Sequence, residues 1–305
     1  MASQITSVEK AHGESIFCST WCAGISNQFV TGSVDGSIKL WEVAELGNPL
    51  KEKIKLVATF SESPAAVVSV ATCKSKSGSV FLLSSSMDCR IRIWDLKTQK
   101  FVREIECGAV ECWKLAIHPS GEKVASGTHT GAVNIWNIES GELESTLETK
   151  GEFALSLAYN ADGSRLAVGD KAGKVYVFEQ ERLTKTFAAH ALPVRSICFS
   201  TDSLFVLTSS DDTTVNMYET KTFEQVGTIK GHSSWVMCVT CSPDDQYFAT
   251  ASSDKRVRLW DLKQRNCIQT FESHSDQVYM VCFNDVGSRL VSVGAEGDIY
   301  LYKVN

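Results

Sequence analysis

Histidine and aspartate recur as pairs along the chain, and such a pair could act as a base and the acid that orients it. His232 precedes Asp254 by 22 residues, and His190 precedes Asp212 by the same interval. A histidine held by a carboxylate is an arrangement that general-base catalysis uses. Because the same spacing recurs instead of occurring once, a repeated structural role explains it better. No nucleophile and base pair or phosphate-binding glycine loop stands outside the repeats, so the sequence predicts no enzyme and no catalytic residue.

The 11 cysteines are the second candidate for chemistry, as metal ligands or disulfide partners. Only Cys238 and Cys241 have C-x-x-C spacing, and no second Cys or His pair follows at the distance that a zinc finger requires. The segment from Val236 to Cys241 has the composition of a buried strand. The odd, scattered cysteines therefore predict reduced thiols in an intracellular compartment, with no metal site and no cofactor.

Charge and hydropathy narrow the classes of partner. Lys and Arg number 30, Asp and Glu number 36, and the net charge is -6. A protein that grips many phosphates needs a basic surface, so direct nucleic-acid binding is disfavoured. No apolar run reaches 18 residues, and the first residues lack a basic segment followed by an apolar one. We therefore expect neither membrane insertion nor secretion.

One short segment recurs seven times and predicts the fold. In the copy from Asp88 to Trp94, Ile91 and Ile93 alternate with polar residues, and this period of two indicates a strand. Each copy ends in an aromatic anchor: Trp41, Trp94, Trp136, Phe178, Tyr218, Trp260 and Tyr302. The anchors lie 40 to 42 residues apart, except for 53 between the first two. This period is typical of the blades of a β-propeller.

The copies resemble the WD-repeat family over essentially the whole chain. The sixth copy carries the full signature, with Gly231-His232, Thr250, Asp254 and Trp260. The resemblance implies that His, a hydroxyl residue, Asp and Trp form a hydrogen-bonded tetrad inside each blade. The expected members of such tetrads are His12, Asp35, Trp41, Asp88, Trp94, His190, Asp212, His232, Asp254, Trp260 and His274. The second, third and fourth copies lack the histidine, so packing should matter more in blades three and four.

These observations predict an all-β fold: a single seven-bladed WD-repeat β-propeller over residues 1–305. A propeller must join its first and last blades. The segment from Gln4 to Val8 resembles the segment from Cys267 to Phe271, which precedes His274. We therefore expect the N-terminal strand to complete the last blade, whose inner strands end at Tyr302.

Function in a propeller resides in the residues on its faces. Alignment of the copies places seven residues at one position near the start of each innermost strand, which opens onto the narrower face: Phe17, Val68, Trp113, Leu155, Arg195, Met237 and Tyr279. With their neighbours they give a candidate partner-binding set of Phe17, Glu111, Trp113, Phe153, Arg195, Asp211, Trp235 and Tyr279. Aromatic side chains beside a few charges suit a peptide-binding hot spot. The alternative is that individual rings only fill gaps between blades.

The order of the copies is also similar to one group within the family, the WD-repeat subunits of the superkiller complex, which also occur in the RNA polymerase II-associated factor (Paf) complex. The segments that carry this likeness include Cys107 to Ala116 and Gly231 to Val236. The resemblance implies a scaffold, monomeric within a hetero-complex, in cytoplasm and nucleus. Its partners would be tetratricopeptide-repeat and helicase subunits acting in exosome-mediated mRNA decay, and Paf subunits acting in transcription elongation.

The same resemblance implies the chemistry of the bound motif. Such subunits take up short motifs with an Arg and a large apolar residue on the narrow face. Our hypothesis is that four aromatic side chains hold the apolar and guanidinium parts, while Glu111 or Asp211 fixes the charge. The four are Phe17, Trp113, Trp235 and Tyr279.

Two other binding functions remain as alternatives. A histone-tail reader would use the same face and similar aromatic residues. A ubiquitin-ligase substrate receptor is less favoured, because the W-D-x-R pattern of many such receptors is absent: the segments that begin at Trp94 and Trp260 end in Lys97 and Lys263.

Overall fold

Short stretches in which apolar and polar residues alternate form strands throughout the part of the chain that the computed structural model describes, residues 2–45, 52–60, 64–76, 78–108 and 112–304. In the strand that ends the sixth repeat, Val257 and Leu259 are buried while Arg258 between them is partly exposed. This alternation places one side chain in two against the neighbouring sheet. No helix occurs among the described residues, so none there is long and apolar enough to cross a membrane.

The strands are numbered here in chain order. Those of the first half are β1 (Ser3–Val8), β2 (Ile16–Trp21), β3 (Gln28–Ser33), β4 (Ile38–Glu45), β5 (Glu52–Phe60), β6 (Val67–Lys74), β7 (Val80–Ser86), β8 (Arg90–Asp95), β9 (Lys100–Glu106), β10 (Leu115–Ile117), β11 (Lys123–Gly127), β12 (Ala132–Asn137), β13 (Leu143–Glu148) and β14 (Ala154–Tyr159). Those of the second half are β15 (Arg165–Asp170), β16 (Lys174–Glu179), β17 (Arg182–Ala188), β18 (Val194–Phe199), β19 (Phe205–Ser210), β20 (Val215–Glu219), β21 (Gln225–Ile229), β22 (Val236–Cys241), β23 (Tyr247–Ser252), β24 (Val257–Asp261), β25 (Cys267–Phe271), β26 (Val278–Phe283), β27 (Arg289–Gly294) and β28 (Ile299–Lys303).

These strands form seven antiparallel sheets of four strands each, which are the blades of a β-propeller. Blades one to six each use four consecutive strands, beginning with β2, β6, β10, β14, β18 and β22. Blade seven has the order β1-β28-β27-β26, so its outermost strand comes from the N-terminus. Residues Ser3 to Val8 pair with Lys303 to Ile299. The prediction of a seven-bladed propeller closed by the N-terminal strand is confirmed.

The apolar core lies between adjacent blades. Leu259 and Phe271 of blade six pack in one cluster with Val281, Leu290 and Tyr302 of blade seven, and Tyr302 is fully buried. Burial of apolar area supplies most of the stabilisation of such an interface. Each blade therefore depends on its neighbours to cover its two faces.

A recurring bulge determines which side chains reach the centre of the narrow face. In six of the seven innermost strands the pairing register shifts across the second residue, as between Val194 and Ser196 in blade five. The residues inside these shifts are Phe17, Val68, Leu155, Arg195, Met237 and Tyr279. A bulge bends its strand and redirects the side chain of the extra residue. The aligned sequence position therefore coincides with a repeated irregularity of the backbone.

Candidate partner-binding site

Blade six contains the complete hydrogen-bonded tetrad. The Nδ1 atom of His232 lies 2.8 Å from a carboxylate oxygen of Asp254, and its Nε2 atom lies 2.7 Å from Oγ1 of Thr250. The indole Nε1 of Trp260 donates to the same hydroxyl at 2.9 Å. Burial raises the pKa of Asp254, but hydrogen bonds, above all with His232, outweigh that effect and keep the pKa below its usual value. The network ties together β23, β24 and the segment before β22, and both ring nitrogens of His232 are engaged inside the blade.

Blades one, five and seven contain variants of this network. In blade one, His12 Nε2 lies 2.7 Å from Thr31, while its Nδ1 lies 3.0 Å from Ser37 and 3.4 Å from Asp35. The Trp41 indole donates to the same Thr31 hydroxyl at 2.8 Å. Burial lowers the pKa of His12 to about 4, against the opposing effect of Asp35, so its imidazole is neutral at pH 7.

The other two variants differ at the aromatic anchor and the acid. In blade five, His190 contacts Asp212 at 2.8 Å and Thr208 at 2.8 Å, but the Tyr218 hydroxyl donates to the backbone carbonyl of Ala189. In blade seven, His274 contacts Glu296 and Ser292, and the Ser292 hydroxyl donates to the Tyr302 hydroxyl at 3.2 Å.

Blade two uses an arginine in place of the histidine. Arg92 on β8 is 4% exposed; its guanidinium lies 2.6 Å from Asp88, 3.1 Å from Glu104 and 3.0 Å from the Ser86 hydroxyl. The Ser63 position, where the sixth copy has its histidine, lies outside the described residues. Trp94 packs against the ring of Phe60. The turn aspartate of blade two is therefore compensated by a cation instead of an imidazole.

Blades three and four hold smaller networks. In blade three the Trp136 indole donates to Ser126 at 3.0 Å. In blade four the Tyr176 hydroxyl donates to the carboxylate of Asp170 at 3.1 Å, and Asp170 is 1% exposed. Blade four thus keeps one buried polar contact that the sequence pattern did not suggest.

The centre of the narrow face holds a cavity of about 280 Å³, the central cavity. The central cavity is lined by residues of all seven innermost strands or the segments directly before them: Phe17, Val68, Trp113, Lys114, Leu155, Arg195, Ser196, Trp235, Met237, Gln277, Tyr279 and Met280. Every residue of the aligned position is among them.

Aromatic side chains form contacts around the central cavity. The rings of Phe17 and Tyr279 meet edge to face with centroids 5.2 Å apart, and those of Trp113 and Phe153 do so at 5.4 Å. Phe153 supports Trp113 and is not itself part of the lining. Trp235 is 47% exposed, which is unusual for a side chain of this size. Exposed aromatic groups held by neighbouring rings are typical anchors of protein interfaces.

Two charged residues of the predicted set, Arg195 and Asp211, are paired with each other. Arg195 forms two hydrogen bonds with Asp211, at 2.7 and 2.8 Å, and its guanidinium lies 5.6 Å from the centroid of the Trp235 ring. Asp211 is buried, with 7% of its surface exposed. The bidentate pair fixes Arg195 against the indole. Glu111, the other acid of the predicted set, lies outside the described residues.

Sequence reasoning missed two cations, Arg92 and Lys114. Lys114 had a signal in the aligned copies, whereas Arg92 did not, because Lys39 and Arg258 occupy its position in two other copies. Lys114 stands at a position where the other copies have Cys18, Ser69, Ser156, Ser196, Cys238 and Met280. A single charge in a column of small or apolar residues indicates a local role, and here that lysine lines the central cavity.

The thiols are mostly buried, and those of the described residues form no disulfide. Burial raises the pKa of Cys18, Cys22 and Cys282 to about 12. The sulfur atoms of Cys198 and Cys241 lie 3.5 Å apart as free thiols. Among the residues that the structure describes, no group of three or more His, Cys, Asp or Glu is arranged to hold a metal ion.

Comparisons with known proteins agree with this architecture. The model of the WD domain, G-beta repeat, matches residues 3–42, 54–95, 99–137, 181–219, 223–261 and 265–303. The unmatched stretch 138–180 contains most of blade four, where the histidine is missing and Phe178 replaces the tryptophan anchor.

Three relatives cover most of the chain. The WD repeat-containing protein SL1-17 of Schistosoma mansoni is 31% identical over 70% of this chain and 69% of its own length. The WD repeat-containing protein VIP3 of Arabidopsis thaliana is 34% identical over 64% of each chain. The meiotic recombination protein rec14 of Schizosaccharomyces pombe is 26% identical over 72% of this chain and 70% of its own. The repeats, the tetrads and these matches show that the chain belongs to the WD-repeat family.

Proposed function

We propose that this chain is a non-catalytic scaffold that binds other proteins through its narrow face. WD-repeat proteins generally act as protein-interaction scaffolds, and their fold is typically without enzymatic activity. The observation that carries the proposal is the central cavity, to which all seven blades contribute. In this proposal residues 1–305 act as one propeller domain.

The finer part of the proposal is membership in two complexes. We propose that the chain serves the superkiller complex, beside its tetratricopeptide-repeat and helicase subunits, and the Paf complex. The order of the repeat copies supports this assignment. The relative named as a meiotic recombination protein favours a nuclear location for at least part of the population, and the cytoplasmic part follows from the superkiller assignment.

The aromatic groups are the parts of the site best suited to a large apolar residue of a partner. Trp235 offers an exposed ring, and Trp113 is held in place by Phe153. A partner guanidinium would have to compete with Arg195 for Asp211, because both carboxylate oxygens already accept hydrogen bonds from Arg195. The apolar residue of the motif is therefore the part that the site accommodates without rearrangement.

Capture of the tetratricopeptide-repeat subunit tests the proposal. Replacement of both Trp113 and Trp235 by Ala should weaken binding by about a hundredfold or more, since two interface anchors commonly contribute about 2 kcal/mol each. The matched control replaces Leu143 and Leu183 by Ala; both side chains are exposed on outermost strands, far from the cavity lining. Undiminished capture by the tryptophan variant would defeat the assignment.

A histone-tail reader is the second candidate, because the same exposed aromatic groups could hold a methylated lysine. Titration with unmodified and methylated histone peptides separates the two functions. A scaffold that takes up an apolar motif should bind neither peptide with useful affinity, whereas a reader should prefer the methylated one.

A further inference from the structure

The charges around the central cavity are unequal among the described residues. Two cations, Lys114 and Arg195, line the cavity, and no acidic residue of the described chain does so. Arg195 is neutralised by its bidentate contact with Asp211. Lys114 has no ion pair and no side-chain hydrogen bond within the described residues. One positive charge of the cavity is therefore uncompensated in that part of the chain.

Lys114 lies at the inner edge of blade three and lines the central cavity. The residue precedes β10, and its backbone carbonyl accepts a hydrogen bond from Gly127, which fixes the start of the side chain. Lys114 of blade three shares the lining of the central cavity with Phe17 of blade one, Trp235 of blade six and Tyr279 of blade seven.

A cation in such surroundings is poorly compensated by its neighbours. The nearby side chains of the cavity are mostly aromatic or aliphatic, and partial removal from water disfavours a charge that has no partner. The Ser196 hydroxyl already donates to the carbonyl of Val239. A carboxylate that reaches Lys114 would form a charge-assisted contact at the point where the cavity has an unpaired donor.

We propose that the partner segment bound in the central cavity carries an acidic side chain, and that Lys114 selects it. The large apolar residue of the segment lies among the rings, and the Asp or Glu carboxylate contacts the Lys114 ammonium. This inference rests on the proposed function of the narrow face. It adds the requirement that the bound segment carry a negative charge. The guanidinium of the motif that the resemblance implies is, by contrast, positive.

Selection of peptides from a phage-displayed random heptapeptide library tests this proposal. The library is selected in parallel on the wild-type protein, Lys114→Met, Lys114→Glu and the control Lys255→Met. Lys255 is an exposed lysine in the turn after β23. In the same turn, the backbone amide of Ser253 donates to the carbonyl of Trp235, so Lys255 lies at the same end of the propeller as the cavity. Lys255 does not line the cavity. Peptides that also bind the Trp113→Ala, Trp235→Ala double variant are discarded.

The wild-type protein and Lys255→Met should enrich peptides with Asp or Glu at a constant distance from a large apolar residue. Lys114→Met should lose the acidic preference but keep the apolar one, and Lys114→Glu should select Lys or Arg instead. With the best synthetic peptide, Glu→Gln in the peptide should weaken binding to the wild type by about tenfold or more, and to Lys114→Met by less than about twofold.

An acidic preference that persists on Lys114→Met, or a wild-type selection that is apolar without any acid, would overturn the role of Lys114 while leaving the proposed function intact. A wild-type selection that enriches no peptide dependent on Trp113 and Trp235 would contradict both. Thermal melting of each variant shows whether it is folded, so that a lost preference is not confused with a lost fold.

Discussion

Blade six and blade two solve the same structural problem with different chemistry. In both, an aspartate in the turn between the two middle strands is partly buried. In blade six, Asp254 is held by His232, whose other nitrogen contacts Thr250. In blade two, Asp88 is held by the guanidinium of Arg92. A buried carboxylate is tolerated when donors surround it, and either donor satisfies that condition.

The difference between the blades concerns charge. The His232 network brings one acid together with an imidazole and a hydroxyl. The Arg92 network brings a permanent cation together with two acids, Asp88 and Glu104. Loss of the cation leaves Asp88 without its ion-pair partner, while Glu104 keeps Arg90. Loss of Asp254 removes one acceptor from His232 and from the backbone amides of Ser233 and Arg256. The two blades should therefore differ in their sensitivity to mutation.

Replacement of Arg92 by Met should have the largest effect. Removal of one partner from a buried ion pair commonly costs about 3 to 5 kcal/mol. Because the side chain of Asp88 is 17% exposed and Glu104 keeps Arg90, the expected cost lies at the lower end of that range. The measurement is the free energy of unfolding from urea titration at pH 7. Arg256→Met is the matched control: this arginine pairs with Glu272 at the surface and should cost about 1 kcal/mol or less. Equal losses of unfolding free energy in Arg92→Met and Arg256→Met would contradict the importance assigned to the buried Arg92 network.

Replacement of Asp254 by Ala should have a smaller effect, on the order of 1 to 3 kcal/mol, because His232 then lacks one hydrogen-bond partner. The exposed Asp285 in the turn after β26 is the control, and its replacement by Ala should change stability by about 0.5 kcal/mol or less. A loss for Asp254→Ala as large as that for Arg92→Met would contradict the comparison between the blades.

Blade one extends the comparison to the pH dependence of stability. The pKa of His12 is about 4 in the folded chain and 6.5 in the unfolded one, so the unfolded chain binds its proton first as the pH falls. The stability contributed by neutral His12 is complete above pH 6.5 and is lost progressively toward pH 4. Between pH 7 and pH 5 the expected loss is roughly 1 to 2 kcal/mol.

Urea titrations of the wild type and His12→Gln at the two pH values measure this contribution, and the variant should show a smaller decrease than the wild type. The exposed His129→Gln should retain the wild-type decrease. The same decrease in His12→Gln and the wild type would show that the buried imidazole is not the cause.

The sequence predicts the blade period, the tetrads and the closing strand because these features follow from short-range patterns. The tetrad of blade six can be read from the spacing of His232, Asp254 and Trp260. The pairing of Arg195 with Asp211 could not be read in this way, because Arg195 lies in a bulge of β18 and Asp211 directly follows the paired strand β19. Lys114 was missed for a similar reason, since its charge matters only through side chains from distant blades that close the channel.

The most direct test of the scaffold proposal is affinity purification from cytoplasmic and nuclear extracts followed by mass spectrometry. The wild type should recover the tetratricopeptide-repeat and helicase subunits of the superkiller complex and subunits of the Paf complex. The Trp113→Ala, Trp235→Ala variant should lose them by about tenfold or more, while the Leu143→Ala, Leu183→Ala control retains them. Equal recovery of these subunits by the tryptophan variant, or their absence from the wild-type sample, would contradict the account.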